Sequence, residues 1–144
     1  MSVTCALRDI AQVNMSADDL GEARDWYARF LGVEPYFQRP GADNPAYVEF
    51  RLGDYKHELG IIDCTYLPPA AQAYPGGAVV RWHVDDLPAT MKRLKELGAQ
   101  ENEPKTEREE GFVTDSMIFP LGNILGLMHS PHYLQSLANG AKRS

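Results

Sequence analysis

One stretch of this chain occurs twice, and this repeat constrains the fold more than any other feature. Residues 15–20 read MSADDL and residues 82–87 read WHVDDL. Each copy is followed by about three turns of helical pattern that end at a Leu-Gly pair, at 31–32 and at 97–98. Repetition of this kind indicates repeated structural units, but two copies are too few for a solenoid. The sequence therefore predicts two modules that share one core.

Each copy carries the signals of a strand end followed by a helix. Asp19 and Glu22 resemble a capping box, and Gly32 supplies the stop. In the second copy Pro88 lies where a first-turn residue belongs, and Gly98 ends the pattern. Apolar residues at helical spacing give each helix one buried stripe. These residues are Leu20, Ala23, Tyr27, Phe30 and Leu31 in the first helix and Leu87, Thr90, Met91, Leu94 and Leu97 in the second.

Short alternating segments around the helices predict strands. They are residues 7–15, 34–39, 46–52 and 56–64 in the first module and 78–84, 112–119 and 124–130 in the second, with 101–110 as an exposed edge strand or loop. The order strand, helix, three strands is therefore written twice, which predicts an α+β fold of two paired βαβββ modules. A single 144-residue domain is expected, with module one at about 5–65, a linker at 66–77, module two at about 78–131 and a tail at 132–144 that contains a short helix.

The charge and composition of the chain argue against several classes of binding partner. The net charge of −6 argues against nucleic acid or an anionic membrane surface, and no apolar run approaches the ~20 residues that span a bilayer. No secretory signal is apparent at the N-terminus. Cys5 and Cys64 are too few and too isolated for a disulfide framework or a zinc site, so two reduced thiols in a cytoplasmic protein are expected.

The repeated pattern resembles the vicinal oxygen chelate superfamily, which includes glyoxalase I, extradiol dioxygenases and bleomycin-resistance proteins. The segments that carry the resemblance are residues 13–20, 26–32, 83–87, 97–99 and 119–127, so it spans most of the chain. The resemblance implies curved mixed sheets around one cleft, and usually a homodimer. We expect the linker residues 66–71 and the tail after Pro131 to contribute to the dimer contact.

In the metalloenzymes of this family, ligands project into the cleft from the first and last strands of each module. Carried over to this sequence, those positions fall on Gln12, Glu58, Val79 and Gly126. Val79 and Gly126 have no side-chain donor, and a catalytic metal generally needs about three protein ligands. We therefore predict no metal cofactor, and the alternative is a divalent metal held by Gln12 and Glu58.

Strand register bears directly on this interpretation, because a one-residue slip moves every side chain to the other face. If Arg81 or His83 replaced Val79 in the metal row, His83 could become a ligand. The simpler interpretation makes His83 a cleft or rim histidine and places His57, His129 and His132 at the surface or in turns.

The remaining polar residues of the predicted cleft point to a small-molecule ligand. Arg51 and Arg81 could bind a carboxylate or phosphate, or could pair with Glu49 and Glu58 instead. The full set of candidate cleft residues is Gln12, Asn14, Glu49, Arg51, Glu58, Arg81, His83 and Met128. Apolar walls are expected from Tyr36, Phe37, Tyr47, Ile62, Val79 and Met128.

Two functions follow from these observations. The first is a small-molecule-binding protein of the glyoxalase/bleomycin-resistance type without the catalytic metal. The second is a metal-dependent lyase, isomerase or dioxygenase of the same superfamily. No residue can be assigned a catalytic role from the sequence, because no Ser or Cys lies in a nucleophile motif.

Overall fold

The structure is a computed structural model that describes residues 5–8, 10–67, 79–120 and 122–140. The chain divides into two compact units, Met1–Tyr74 and Pro75–Ser144. Most of the predicted linker, from residue 68 onward, lies outside the described residues. No helix in the described part of the chain is long and apolar enough to cross a membrane.

The first unit is one four-stranded mixed sheet with a helix. Its elements are β1 (Gln12–Ala17), α1 (Leu20–Leu31), β2 (Phe37–Arg39), β3 (Tyr47–Leu52) and β4 (His57–Asp63). The strand order is β1-β4-β3-β2. β1 pairs with β4 in parallel, and the other two pairs are antiparallel.

The second unit repeats this arrangement. Its elements are β5 (Arg81–His83), α2 (Leu87–Glu96), β6 (Gln100–Glu107), β7 (Val113–Ile118), β8 (Ile124–His129) and a terminal helix α3 (Pro131–Gly140). The strand order is β5-β8-β7-β6, again with one parallel pair between β5 and β8. The predicted α+β fold of two βαβββ modules, each with a mixed sheet, is therefore confirmed.

The repeated Asp-Asp-Leu motif starts both helices in the same way. Asp19 accepts a hydrogen bond from the backbone N–H of Glu22 at 3.0 Å, and Asp86 accepts one from Ala89 at 3.0 Å. Each side chain thereby satisfies one of the first-turn donors that a helix leaves unpaired. At the other end, Gly32 takes a left-handed conformation with φ 75°, which a residue without Cβ adopts easily.

Each sheet buries one face. In the first module the apolar residues of β1, β3 and β4 alternate with polar ones, and Val48, Phe50 and Ile61 are fully buried. The Tyr27 hydroxyl of α1 lies 3.6 Å from the sulfur of Met15 in β1, so this helix covers the apolar face. In the second module the core consists of Leu87, Met91, Leu94, Ala99, Met117, Phe119, Leu125 and Leu127.

The strands begin later than the alternation predicted. β1 starts at Gln12 rather than at residue 7, and Leu7 and Ile10 before it are 83% and 67% exposed. β5 starts at Arg81, so Val79 lies outside the strand and is 57% exposed. Alternation marks which residues share a face but not how far a partner strand extends, and the partner strand decides where pairing stops. The charged segment 101–110 mostly forms the edge strand β6.

Candidate functional site

The face of the first sheet opposite α1 is polar. We call it the first polar face and define it as Gln12, Asn14, Tyr47, Glu49, Arg51 and Glu58. The strand register places Gln12 beside Glu58 and Glu58 beside Arg51, in one row across three strands. Three residues that the sequence separates by up to 46 positions therefore become neighbours.

Five side chains of the first polar face form a closed ring of contacts. Gln12 Nε2 donates to the Tyr47 hydroxyl at 3.1 Å and to Glu58 Oε1 at 3.1 Å. The Tyr47 hydroxyl donates to Glu49 Oε1 at 3.2 Å. Arg51 closes the ring, with Nε 3.6 Å from Glu49 Oε2 and Nη2 3.2 Å from Glu58 Oε2. The predicted alternative, in which Arg51 pairs with both glutamates, is the arrangement observed.

The ring depends on a glycine beneath it. A Cβ at Gly60 would overlap Asn14 Oδ1 and would lie 2.5 Å from the Tyr47 hydroxyl. Gly60 pairs with Asn14 on one side and Glu49 on the other, at the centre of the sheet. The absence of a side chain there lets the phenol of Tyr47 cross β4 toward Gln12.

Burial and the neighbouring carboxylates both favour the neutral form of the Tyr47 phenol. Burial raises the pKa of Tyr47 to about 12, and the adjacent carboxylates of Glu49 and Glu58 act in the same direction. The hydroxyl is protonated at neutral pH and donates to Glu49, which is only 8% exposed. Arg51 also stacks over the exposed ring of Tyr36, with its guanidinium carbon 3.7 Å from the ring centroid.

The second sheet has a comparable row, built from different residues. We call it the second polar face and define it as Arg81, His83, Glu103, Ser116, Gly126 and Met128. The register places Arg81, Gly126, Ser116 and Glu103 side by side across four strands. The same register shows which side chains of residues 112–119 share a face with Arg81, because Ser116 lies in its row.

Arg81 is held across this row by partners in its own module. Its Nη1 donates to the backbone carbonyl of Asp115 at 2.7 Å, and its Nη2 donates to Glu103 Oε1 at 3.3 Å. Ser116 donates to the same Glu103 oxygen at 2.8 Å. The hydrogen bonds that Glu103 accepts from Ser116 and Arg81 hold the pKa of its carboxyl below its usual range, and the one from Ser116 has the larger effect.

One expectation about this row is corrected. The residue that stands opposite Gly126, as Gln12 stands opposite Glu58, is Arg81 and not Val79. Val79 lies two residues before Arg81 and so precedes the strand. It therefore pairs with no residue of β8. Within its own module Arg81 reaches Glu103, because Gly126 leaves its path across the sheet open, and in the first module Arg51 binds Glu49 and Glu58.

His83 has a structural role. Its Nδ1 accepts a hydrogen bond from the backbone N–H of Ser130 at 3.0 Å, and its Nε2 lies 3.3 Å from Asp85 Oδ1. The ring stacks on Tyr133 of α3 with centroids 5.1 Å apart, and its side chain is 8% exposed. Ser130 in turn caps α3 by accepting from the N–H of Tyr133. Both ring nitrogens are thus engaged at the base of the terminal helix.

The side chains do not match the family's set of metal ligands. Arg81 and Gly126 offer no lone pair for a cation, and the Arg81 guanidinium carries a positive charge itself. In the first module, the carbonyl oxygen of Gln12 accepts from Asn14 at 3.1 Å, and its amide nitrogen faces Glu58. Within the described ranges no three His, Cys, Asp or Glu side chains are grouped so that they could hold a metal ion.

A model of the glyoxalase/bleomycin resistance protein/dioxygenase superfamily matches residues 9–116 of the chain. This match covers most of both modules. The chain belongs to this superfamily. The resemblance drawn from the two Asp-Asp-Leu motifs is therefore confirmed. No curated protein matches the chain.

Solved structures of the superfamily share the fold at low sequence identity. A superfamily member from Sphaerobacter thermophilus DSM 20745 superposes with a TM-score of 0.68 at 19% identity, covering 88% of this chain and 100% of its own. A glyoxalase-related enzyme from Fulvimarina pelagi gives 0.66 at 20% identity, covering 87% and 90%. A lactoylglutathione lyase from Agrobacterium tumefaciens gives 0.65 at 20% identity, covering 88% and 96%. These likenesses establish the fold.

Sequence reasoning missed several residues of the two polar faces. Tyr47 was assigned to an apolar wall, although its hydroxyl joins Gln12 to Glu49. Glu103 and Ser116, which hold Arg81 and each other, were not candidates. The available signal was the period-two alternation of β7, which puts Ser116 on one face together with Thr114 and Ile118.

Proposed function

We propose that the protein binds a small molecule and that it does so without the superfamily's divalent metal. One observation carries the proposal: the pair Arg81 and Gly126 stands where the first module has Gln12 and Glu58. At these two positions a metal site would need side chains that donate lone pairs to the ion. Arg81 places a fixed guanidinium there instead, and Gly126 has no side chain. The polar rows on both sheets supply hydrogen-bonding groups of both charge signs, which suits a polar organic ligand.

Metal content tests the first half of the proposal. Protein purified without chelator is expected to contain far less than one zinc, nickel, iron or manganese ion per chain. Gln12→Ala and Glu58→Ala should leave that trace content unchanged. A stoichiometric metal that is lost in both variants would overturn the proposal. It would instead support a metal-dependent lyase, isomerase or dioxygenase.

A thermal-shift screen of small molecules tests the second half. A ligand that binds only the folded state must raise the unfolding midpoint. For any hit that carries a carboxylate or phosphate, Arg81→Ala should weaken affinity about tenfold to hundredfold, since a charged hydrogen bond contributes roughly 1.5–3 kcal/mol. Lys92→Ala, at an exposed position of α2, is the matched control and should bind like the wild type. Unchanged affinity together with a collapsed midpoint would assign Arg81 a structural role only.

We also propose a homodimer, as the resemblance implies. The outermost strand of each sheet and exposed apolar residues such as Leu7, Ile10 and Leu134 offer surface for a second copy. Residues 68–71 of the predicted contact lie outside the described residues. Sedimentation should show a species of twice 16.1 kDa at micromolar concentration, and a monomer alone would contradict the proposal.

A cytoplasmic location is proposed on the basis of the cysteines. Both Cys5 and Cys64 are free thiols, and Cys64 Sγ lies 2.9 Å from Asp18 Oδ1 as a hydrogen-bond donor. Free thiols persist in reducing compartments. Cell fractionation of the tagged protein is the direct measurement, and recovery outside the cytoplasmic fraction would refute the location.

A further inference from the structure

A carboxyl group lies in the interior of the second module, and no described residue forms a hydrogen bond with it. Asp115 in β7 stands opposite Leu127 in β8, on the same side of the sheet as the buried residue Met117. The residue is 1% exposed. Both carboxyl oxygens are buried, and neither has a hydrogen-bond partner among the described residues. Buried polar groups are nearly always paired, so an exception of this kind requires an explanation.

The row of the sheet that contains this carboxyl is otherwise apolar, and the charged side chains of α2 in the same module are exposed. Trp82 of β5 and Leu127 of β8 belong to the same row. The nearby titratable groups are Glu101 and Glu103 of β6, His129 two pairs further along β8, and Arg81 of β5.

Arg81 is the cation close to this carboxyl, and its donors are directed elsewhere. Its guanidinium bonds to the backbone carbonyl of Asp115 and to Glu103. Burial raises the pKa of Asp115 to about 6, which Arg81 opposes and which the carboxylates of Glu101 and Glu103 reinforce. An ionised carboxylate without a partner is costly in such a place, and a proton removes that cost.

We propose that Asp115 is a proton-operated switch in the second module. When Asp115 is protonated, its neutral carboxyl is accommodated in the core and β7 stays packed. When it ionises, the buried charge favours opening of β7 at residues 115–116. Because the carbonyl of Asp115 and the hydroxyl of Ser116 both help to hold the Arg81–Glu103 pair, this opening also releases Arg81.

The sign of the pH dependence follows from the two states of the carboxyl. In the unfolded chain an aspartate has a pKa of about 3.9, whereas the pKa of Asp115 in the folded module is about 6. Between these values the folded state binds more protons than the unfolded state. Asp115 therefore makes the protein more stable as the pH falls from 8 toward 4, which is opposite to the effect of an ion-paired carboxylate.

Comparison of the wild type with Asp115→Asn isolates this group, because asparagine has nearly the same shape and does not ionise. Urea unfolding of both proteins at several pH values between 5 and 8 cancels the contributions of all other carboxyls. The unfolding constant of the wild type relative to the variant should fall about tenfold from pH 8 to pH 5, given the two pKa values. Glu109→Gln, at an exposed position of the same module, should show no such trend.

A titration of the wild type by NMR keeps the proposal testable if the variant does not fold. The Asp115 carboxyl carbon is expected to titrate with a midpoint near pH 6, and the Arg81 Nε resonance should shift with the same midpoint. A midpoint below about 4.5, as for an ordinary aspartate or one kept ionised by a buried water, would overturn the proposal. So would a wild-type to variant ratio that is constant across the pH range.

Discussion

The side chain of Arg81 crosses the space that Gly126 leaves open. A Cβ at Gly126 would lie 2.7 Å from Arg81 Cγ and would overlap the backbone carbonyl of Val80. The two residues pair directly across β5 and β8. The guanidinium therefore reaches the third and fourth strands of the sheet, where the Asp115 carbonyl and Glu103 hold it.

The first prediction concerns Gly126 itself. Gly126→Ala should destabilise the protein by about 1–3 kcal/mol, because overpacking displaces neighbouring atoms and here one of them belongs to the backbone. Urea unfolding measures the change. Gly41→Ala is the matched control, since a Cβ at Gly41 meets nothing within 4 Å, and it should stay within about 0.5 kcal/mol of the wild type. Equal stability of the two variants would contradict the close contact.

The second prediction tests the closed ring of the first polar face. Tyr47→Phe removes the hydroxyl that joins Gln12 to Glu49. Glu49 is nearly buried and keeps Arg51 as a partner but loses Tyr47. The free energy of unfolding of the variant should therefore be about 1–3 kcal/mol lower than that of the wild type. Tyr66→Phe, at an exposed position after β4, provides the comparison and should change little. If both variants behave alike, the hydroxyl contributes nothing to the ring.

The third prediction concerns the terminal helix. His83→Ala leaves the N–H of Ser130 without its acceptor and removes the ring that stacks on Tyr133. Local opening of α3 should become easier by about 1–3 kcal/mol, the range for a buried donor left unpaired. Amide hydrogen exchange of residues 132–140 reports this opening. His132→Ala alters an exposed histidine of the same helix, and similar exchange in both variants would argue against His83 as the anchor.

The fourth prediction uses pH and has the opposite sign to that for Asp115. The pKa of Glu103 is lowered by Ser116 and Arg81, so its ionised form stabilises the folded state. That stability is present above the unfolded value, about 4.3, and is lost as the pH falls through the lower folded value. The wild type should therefore be more stable than Glu103→Gln at pH 7, and the difference should disappear in strong acid. Urea unfolding at both pH values would show a persistent difference if the assignment is wrong.

Local signals predicted the elements of this fold well. Asp19 and Asp86 cap the two helices, as their spacing to the apolar stripes indicates, and the Leu-Gly pairs end them. A cap needs only a side chain and a backbone N–H three residues away, so a short stretch of sequence contains all the information. The alternation of β3 likewise predicted that Val48 and Phe50 face the core and that Glu49 and Arg51 face away from it.

The sequence by itself therefore determined the repeated order of elements, the family and the polar or apolar character of each strand face. The tertiary structure decided which polar residues meet. Arg81 reaches Glu103, because strand pairing brings β8, β7 and β6 alongside β5, and Gly126 leaves the path free. Cross-strand contacts depend on register, and register is set by how whole strands pair rather than by any local pattern. The same pairing turned Asp115 inward beside Leu127, where its carboxyl is buried and forms no hydrogen bond with the part of the chain that the structure describes.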